Sequence, residues 1–136
     1  MQISVSKKTG RVEVTIVGLS GELDGQTYQD FISHARGLYE AGARDVLLDL
    51  GELSYISSAG MVALHTVALL LRGEAIPSAD DGWASMKAVK KEAGSKPEEH
   101  LKLLNPQPDV RNVLEMVGFD RAFEIHANLE EAVGSF

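Results

Sequence analysis

The apolar residues of this chain change period as the sequence advances, and that change limits the fold more than any other feature. Ile3 and Val5 alternate with polar neighbours, as do Val12, Val14 and Ile16, which is the pattern of half-buried strands. "KKTG", residues 7–10, separates them as a turn signal, so a hairpin is expected. The second strand is expected to run out in "VGLSGELDG", residues 17–25, whose three glycines mark a loop. Tyr28, Phe31, Ile32, Ala35, Leu38 and Tyr39 then follow one helical stripe, with Gly42 placed for a C-terminal cap. "RDVLLDL", residues 44–50, reads as a buried strand, and residues 59–72 read as a helix.

Residues 73–99 break this rhythm with Pro77, Gly82, Gly94 and Pro97. Two readings stand for them. One is a short helix capped by Ser78, with Asp80 and Asp81 at its positive end, Lys87, Lys90 and Lys91 at its negative end, and Trp83, Met86, Val89 and Ala93 as a narrow apolar stripe. The other is a flexible insertion. Beyond it, "HLKLLN" reads as a strand and Pro108 opens a helix carrying Val110, Val113, Leu114 and Val117, with Gly118 as its stop. "AFEIHA" reads as another strand, and Asn128 with Glu131 forms a capping-box-like start to a last helix.

The order β-β-α-β-α-(insert)-β-α-β-α implies a single α/β domain. A mixed sheet of about five strands is flanked by four or five helices, with parallel crossovers after an antiparallel hairpin. Composition narrows the function. The chain has no cysteine, which removes disulfides and thiolate metal sites. Its net charge of −7 disfavours nucleic acid, whose phosphates are held by clustered Lys and Arg. The basic group Lys87, Lys90, Lys91 and Lys96 stands among Asp80, Asp81, Glu92, Glu98 and Glu99 and reads as a solvated face. The longest apolar run, Met61 to Leu71, is interrupted by His65 and Thr66 and is too short for a membrane span of ~20 residues. The start "MQISVSKKTG" lacks a signal-peptide pattern, so a cytoplasmic protein without membrane attachment is expected.

The chemistry concentrates at "ISSAG", where a strand pattern meets a helix pattern and Ser57 and Ser58 stand side by side. A nucleophile elbow needs Gly-x-Ser-x-Gly, and here Ile56 replaces the first glycine. His65 lies seven residues beyond Ser58, ~10 Å along one helix, outside the ~3 Å reach of a nucleophile and its base. His34, His100 and His126 carry no motif. No two histidines stand at metal-ligand spacing, and Asp49 with Glu52 reads as an ordinary acidic turn. No catalytic residue, metal or cofactor is therefore expected, and a small serine hydrolase is the remote alternative. A serine at a helix start is a good N-cap. It is also where a phosphoryl group, carrying about −1.5 to −2 charge, disturbs the fold least. Met61, Leu64, Ala68 and Leu71 give the next helix a core stripe while Val62, Val67 and Leu69 point elsewhere, which leaves that side either buried or an interface.

"DLGELSYISSAGMVAL", residues 49–64, resembles the signature of the STAS domain, found in sulfate transporters and anti-sigma factor antagonists. "SGELDG", residues 20–25, is similar to that family's Gly-x-Leu-Asp loop, and residues 110–133 to its C-terminal helix–strand–helix. The resemblance spans the chain apart from the insertion at about 73–99. It implies a STAS-like domain over residues 1–136 and a non-enzymatic binding module. The implied partner is an anti-sigma factor with serine kinase activity, whose phosphorylation of Ser58 ends binding; a phosphatase reverses the step. Ser57 is the less favoured phosphorylation site. Asp24 matches the loop aspartate beside the modified serine, and Ser57, Ala59, Gly60, Met61 and Val62 are the expected partner contacts. Ser57 stands where many members have Asp, and the insertion is longer than the usual link. The alternative is a divergent STAS module that binds another regulatory protein or a small ligand without phosphorylation.

Overall fold

The computed structural model describes residues 1–73 and 97–136; the short helix weighed for the insertion, with Ser78, Trp83 and its lysines, lies outside them. Among the described residues the chain runs β1 (Gln2–Thr9), β2 (Glu13–Leu23), α1 (Tyr28–Glu40), β3 (Val46–Ile56), α2 (Ser58–Leu71), β4 (Leu101–Leu104), α3 (Pro108–Met116), α4 (Phe119–Ala122), β5 (Ile125–His126) and α5 (Leu129–Gly134). The strands form one sheet in the order β1-β2-β3-β4-β5. The hairpin β1–β2 is antiparallel and the other three pairings are parallel. Each crossover steps the same way along the sheet, and right-handed crossovers then put their helices on one face. Val17, Leu19, Val46, Leu48, Leu50, Leu101 and Leu103 bury that face against Phe31, Ala35, Leu64, Val67, Val110, Leu114 and Phe119.

The opposite face is closed by α5, where Ala132 and Val133 cover Val14, Leu47 and Leu104. Lys102 alternates onto this side of β4 and is only 3% exposed. Its ammonium donates to the carbonyl and hydroxyl of Ser135 at 2.8 and 3.0 Å, meets Glu124 at 3.1 Å, and sits 4.8 Å from the Phe136 ring centre. This lysine ties β4 to the end of the described chain.

Several element ends differ from the sequence expectation. "KKTG" is not the hairpin turn: Lys7 to Thr9 belong to β1, and the chain reverses over residues 10–12. The glycine-rich "VGLSGEL" is strand, because β2 runs to Leu23, and β3 runs on to Ile56 instead of stopping at Leu50. The two strands pair in parallel along this extension, with two register shifts that place Ser20 opposite Glu52 and Glu22 opposite Tyr55. Gly21 takes a φ of 94° at the second shift, and the Ser54 hydroxyl donates to its carbonyl at 3.0 Å. Bulges of this kind twist and re-aim a strand pair. "AFEIHA" is not a continuous strand: Ala122 ends α4, and β5 keeps Ile125 and His126 alone. Val67 does not point away from the core; it is 1% exposed within it. Elsewhere the expectations hold. Gly42 follows α1, where its N–H and that of Ala43 reach the Tyr39 and Leu38 carbonyls. Asn128 caps α5 by accepting from the Glu131 N–H at 3.0 Å.

Candidate functional site at the start of the second helix

β4 pairs with β3 only over Val46 to Asp49, so the extensions of β2 and β3 leave the sheet as a two-stranded ribbon. Its tip brings together two segments that are about 30 residues apart in sequence. The Ser57 N–H donates to the Leu23 carbonyl at 2.9 Å, which sets the Asp24 loop against the start of α2. That loop is bonded to itself. The Asp24 N–H reaches the Thr27 hydroxyl at 2.9 Å, and the Asp24 carboxylate accepts the Gln26 N–H at 2.9 Å. The Asp24 carbonyl takes the N–H groups of Thr27 and Tyr28 at 3.2 and 2.9 Å, starting α1. Asp24 is half-buried and held in place beside the serines.

The two serines have different tasks. Ser57 is extended, with φ −97° and ψ 177°, and its hydroxyl oxygen accepts the Gly60 N–H at 3.3 Å. It is the N-cap, and Ser58 is the first residue of the helix, with an exposed side chain. Ser57→Ala should therefore lower the unfolding free energy by about 1 kcal/mol, as loss of a cap does. Ser58→Ala should leave it within ~0.5 kcal/mol, the range of ordinary surface changes. Urea titration of both variants checks the assignment, and equal losses would refute it.

The expected contact residues divide. Ala59 and Val62 are half-buried and reach the surface beside Ser58. Gly60 and Met61 do not. Met61 is 5% exposed and belongs to the core. Gly60 is buried, and a Cβ there would lie 2.6 Å from the Leu23 carbonyl oxygen and 2.8 Å from Ile56 Cγ1. Its role is to let the end of β2 come against the helix. Ser57, Ser58, Ala59 and Val62 form the surface at this helix start, and Gly60 and Met61 lie beneath it.

Among the described residues, the serine, histidine and carboxylate side chains nearest one another are engaged elsewhere. His100 pairs with Asp45 at 2.9 Å at the start of β3, on the order of 30 Å from Ser58 at strand rise. Asp49 turns back to accept the Gly51 N–H at 2.9 Å. Ser135 lies 3.4 Å from His126 Nε2, but its hydroxyl is committed to the Ala132 carbonyl at 2.6 Å. Glu124 meets the same His126 Nε2 at 3.1 Å, so these three side chains do not line up as a serine–histidine–carboxylate relay. The sequence reading missed Tyr55, a large aromatic residue left 49% exposed on the ribbon three positions before Ser58.

Comparison with known proteins agrees with this architecture. The sequence profile of the STAS domain matches residues 5–77. BtrV of Bordetella bronchiseptica, provisionally named an anti-sigma factor antagonist, is 27% identical over 136 residues, covering 100% of this chain and 95% of its own. A structure from Thermotoga maritima, provisionally titled an anti-sigma factor antagonist, superposes with a TM-score of 0.66 at 17% identity, covering 94% of this chain and 90% of its own. SpoIIAA, titled an anti-sigma factor antagonist, superposes in its unphosphorylated form with a TM-score of 0.58 at 22% identity, covering 96% of this chain and 93% of its own. Its phosphorylated form, described as a Bacillus cell fate determinant, gives 0.52 at 20% identity, covering 97% and 96%.

Proposed function

The chain belongs to the STAS-domain family, and from that membership we propose that it is an anti-sigma factor antagonist switched at Ser58. It binds an anti-sigma factor that is also a serine kinase; phosphorylation of Ser58 ends the complex, and a phosphatase restores it. It acts as a binding module, without catalysis or cofactor, and the family domain takes in both sides of the insertion. No described helix is long and apolar enough to cross a membrane, and the proposed site of action is the cytoplasm.

One observation carries the reading: of two adjacent hydroxyls at this helix start, Ser57 is bound into the cap and Ser58 is presented to solvent. A phosphate on Ser58 meets a favourable helix end, so the domain keeps its fold. Any partner lying over Ser58 has to bury a dianion, and a buried charge without a partner costs several kcal/mol. The names of BtrV and SpoIIAA, and the phosphorylated form of the latter, support the same reading. The test is incubation of the intact chain with ATP and each histidine-kinase-like anti-sigma factor of the source genome, followed by peptide mass spectrometry. One phosphate on Ser58 is expected. Its absence from both serines with every kinase overturns the switch, and binding that persists without it favours a phosphorylation-independent module.

A further inference from the structure

We propose that β1 is a docking edge for a second copy of this chain, the two strands lying antiparallel with Val5 of one copy facing Val5 of the other. This association is independent of the switch at Ser58. β1 stands at the edge of the sheet and, among the described residues, pairs only with β2. Seven of its eight residues are exposed, and Ile3 alone is half-buried. An edge strand presents a row of unpaired N–H and C=O groups, which proteins blunt with proline, bulges or charges along the edge. β1 has no proline and keeps an unbroken register with β2. Its lysines, Lys7 and Lys8, stand towards one end, and Gln2 to Ser6 are uncharged.

Side-chain placement selects the partner and its register. Directly opposite residues of an antiparallel pair lie on one face, so Val5 shares the core side of the sheet with Val17. Val17 is 2% exposed and Val5 45%, so an apolar residue on the core side is left uncovered at the sheet margin. A second β1 centred on Val5 covers it with its own Val5. The same register sets Ser4 against Ser6 of the second copy and Ile3 against its Lys7, so each face of the sheet continues as itself. A slip of one residue turns the core side outward. Centring the pair on Ser6 brings the two Lys7 residues within ~7 Å along the strand, whereas centring on Val5 keeps them ~14 Å apart.

Charge favours a second copy despite the net charge of −7, because the hairpin is polarised along its length. Lys7, Lys8 and Arg11 stand at its turn with Glu13 alone against them, residues 12–35 hold no lysine or arginine, and Glu22 lies at the far end of β2. Antiparallel pairing lays the basic end of each hairpin beside the acidic end of the other. Lys8 then faces Gln2 of the second copy, whose partner in β2 is Ser20, two residues short of Glu22. An acidic strand from another protein would match the basic end alone. The paired edge is ~27 Å long and one strand deep, which buries less than the standard ~800 Å² of each partner. The dimer is accordingly weak and concentration-dependent.

The chain has no cysteine, so Val5→Cys introduces a single thiol and a direct test. Opposed residues of an antiparallel pair have Cα atoms ~4.5–5.5 Å apart, within disulfide range. Under mild oxidation Val5→Cys should become a disulfide-linked dimer at least tenfold faster than Lys8→Cys, whose two copies lie ~20 Å apart along the strand. Sedimentation of the intact wild-type chain at rising concentration should show monomer passing to dimer, less so as salt is added. Val5→Lys, which sets two added charges face to face, should weaken the association at least tenfold and leave the unfolding midpoint of the dilute chain close to that of the wild type. Equal cross-linking of the two cysteine variants, or a wild-type chain that stays monomeric at every concentration, overturns the inference. So does protection of the β1 amides from exchange that arises only when the proposed kinase is added, which assigns the edge to that partner instead.

Discussion

Ser58→Asp is expected to keep or slightly raise the unfolding midpoint of the wild-type chain and to lower its affinity for the proposed kinase partner a hundredfold or more. The first half follows from position. Ser58 is the first residue of α2, whose own opening turn holds no acidic residue, so a carboxylate there meets the positive end of the helix dipole. Such placement is worth about 0.3–1 kcal/mol in favour of the fold. The second half follows from burial. An unpaired charge enclosed in an interface costs several kcal/mol, and ~2.8 kcal/mol already corresponds to a hundredfold change in affinity. Ser58→Ala, which removes the hydroxyl and adds no charge, should bind like the wild type. Thermal unfolding and calorimetry on the three proteins separate the effects. Wild-type affinity for Ser58→Asp would remove charge as the means of control.

Gly60→Ala tests the junction beneath the serines, and its sign is informative. Within a helix, alanine is better than glycine by roughly 1 kcal/mol, so without a steric obstacle the variant gains stability. Here the added Cβ meets the Leu23 carbonyl oxygen at 2.6 Å, and that oxygen is held in place by the Ser57 N–H. Overpacking against fixed atoms costs about 1–3 kcal/mol. The expected net result is a loss of up to about 2 kcal/mol, or at most roughly 8 °C in midpoint for a chain of this size. Gly60→Val, with a branched side chain in the same space, should open the junction. Amide exchange at Ser57 and Gly60 should then rise towards that of a free helix end. A stabilised Gly60→Ala would mean that β2 and α2 do not meet as described.

Hydrophobic period was sufficient to read α1, α2, α3 and the succession of strands along the chain, because each crossover helix buries a stripe and each strand an alternating face. It misjudged β2 and β3 where glycine and polar residues interrupt the alternation. In "VGLSGEL" the strand is kept by hydrogen bonds to β3 across two register shifts, and nothing local announces a partner 30 residues away. Lys102 is the inward-facing charge in "LKLL"; its partners Glu124 and Ser135 are too distant in sequence to be foreseen. At the site, the serine pair and the small residues after it were legible as a helix start. Which serine caps depends on backbone angles. That Gly60 and Met61 are interior depends on where Leu23 and the core lie. The pairing of Tyr55 with Glu22 is hidden for the same reason as the strand ends.

The far end of α2 carries a different consequence. Arg72, just past the end of α2, is joined to Glu98, which leads into β4. Fourteen helical residues separate that join from Ser57, about 20 Å at helical rise. The end of α2 and the approach to β4 are thus pinned to each other at the opposite end of the helix from Ser58.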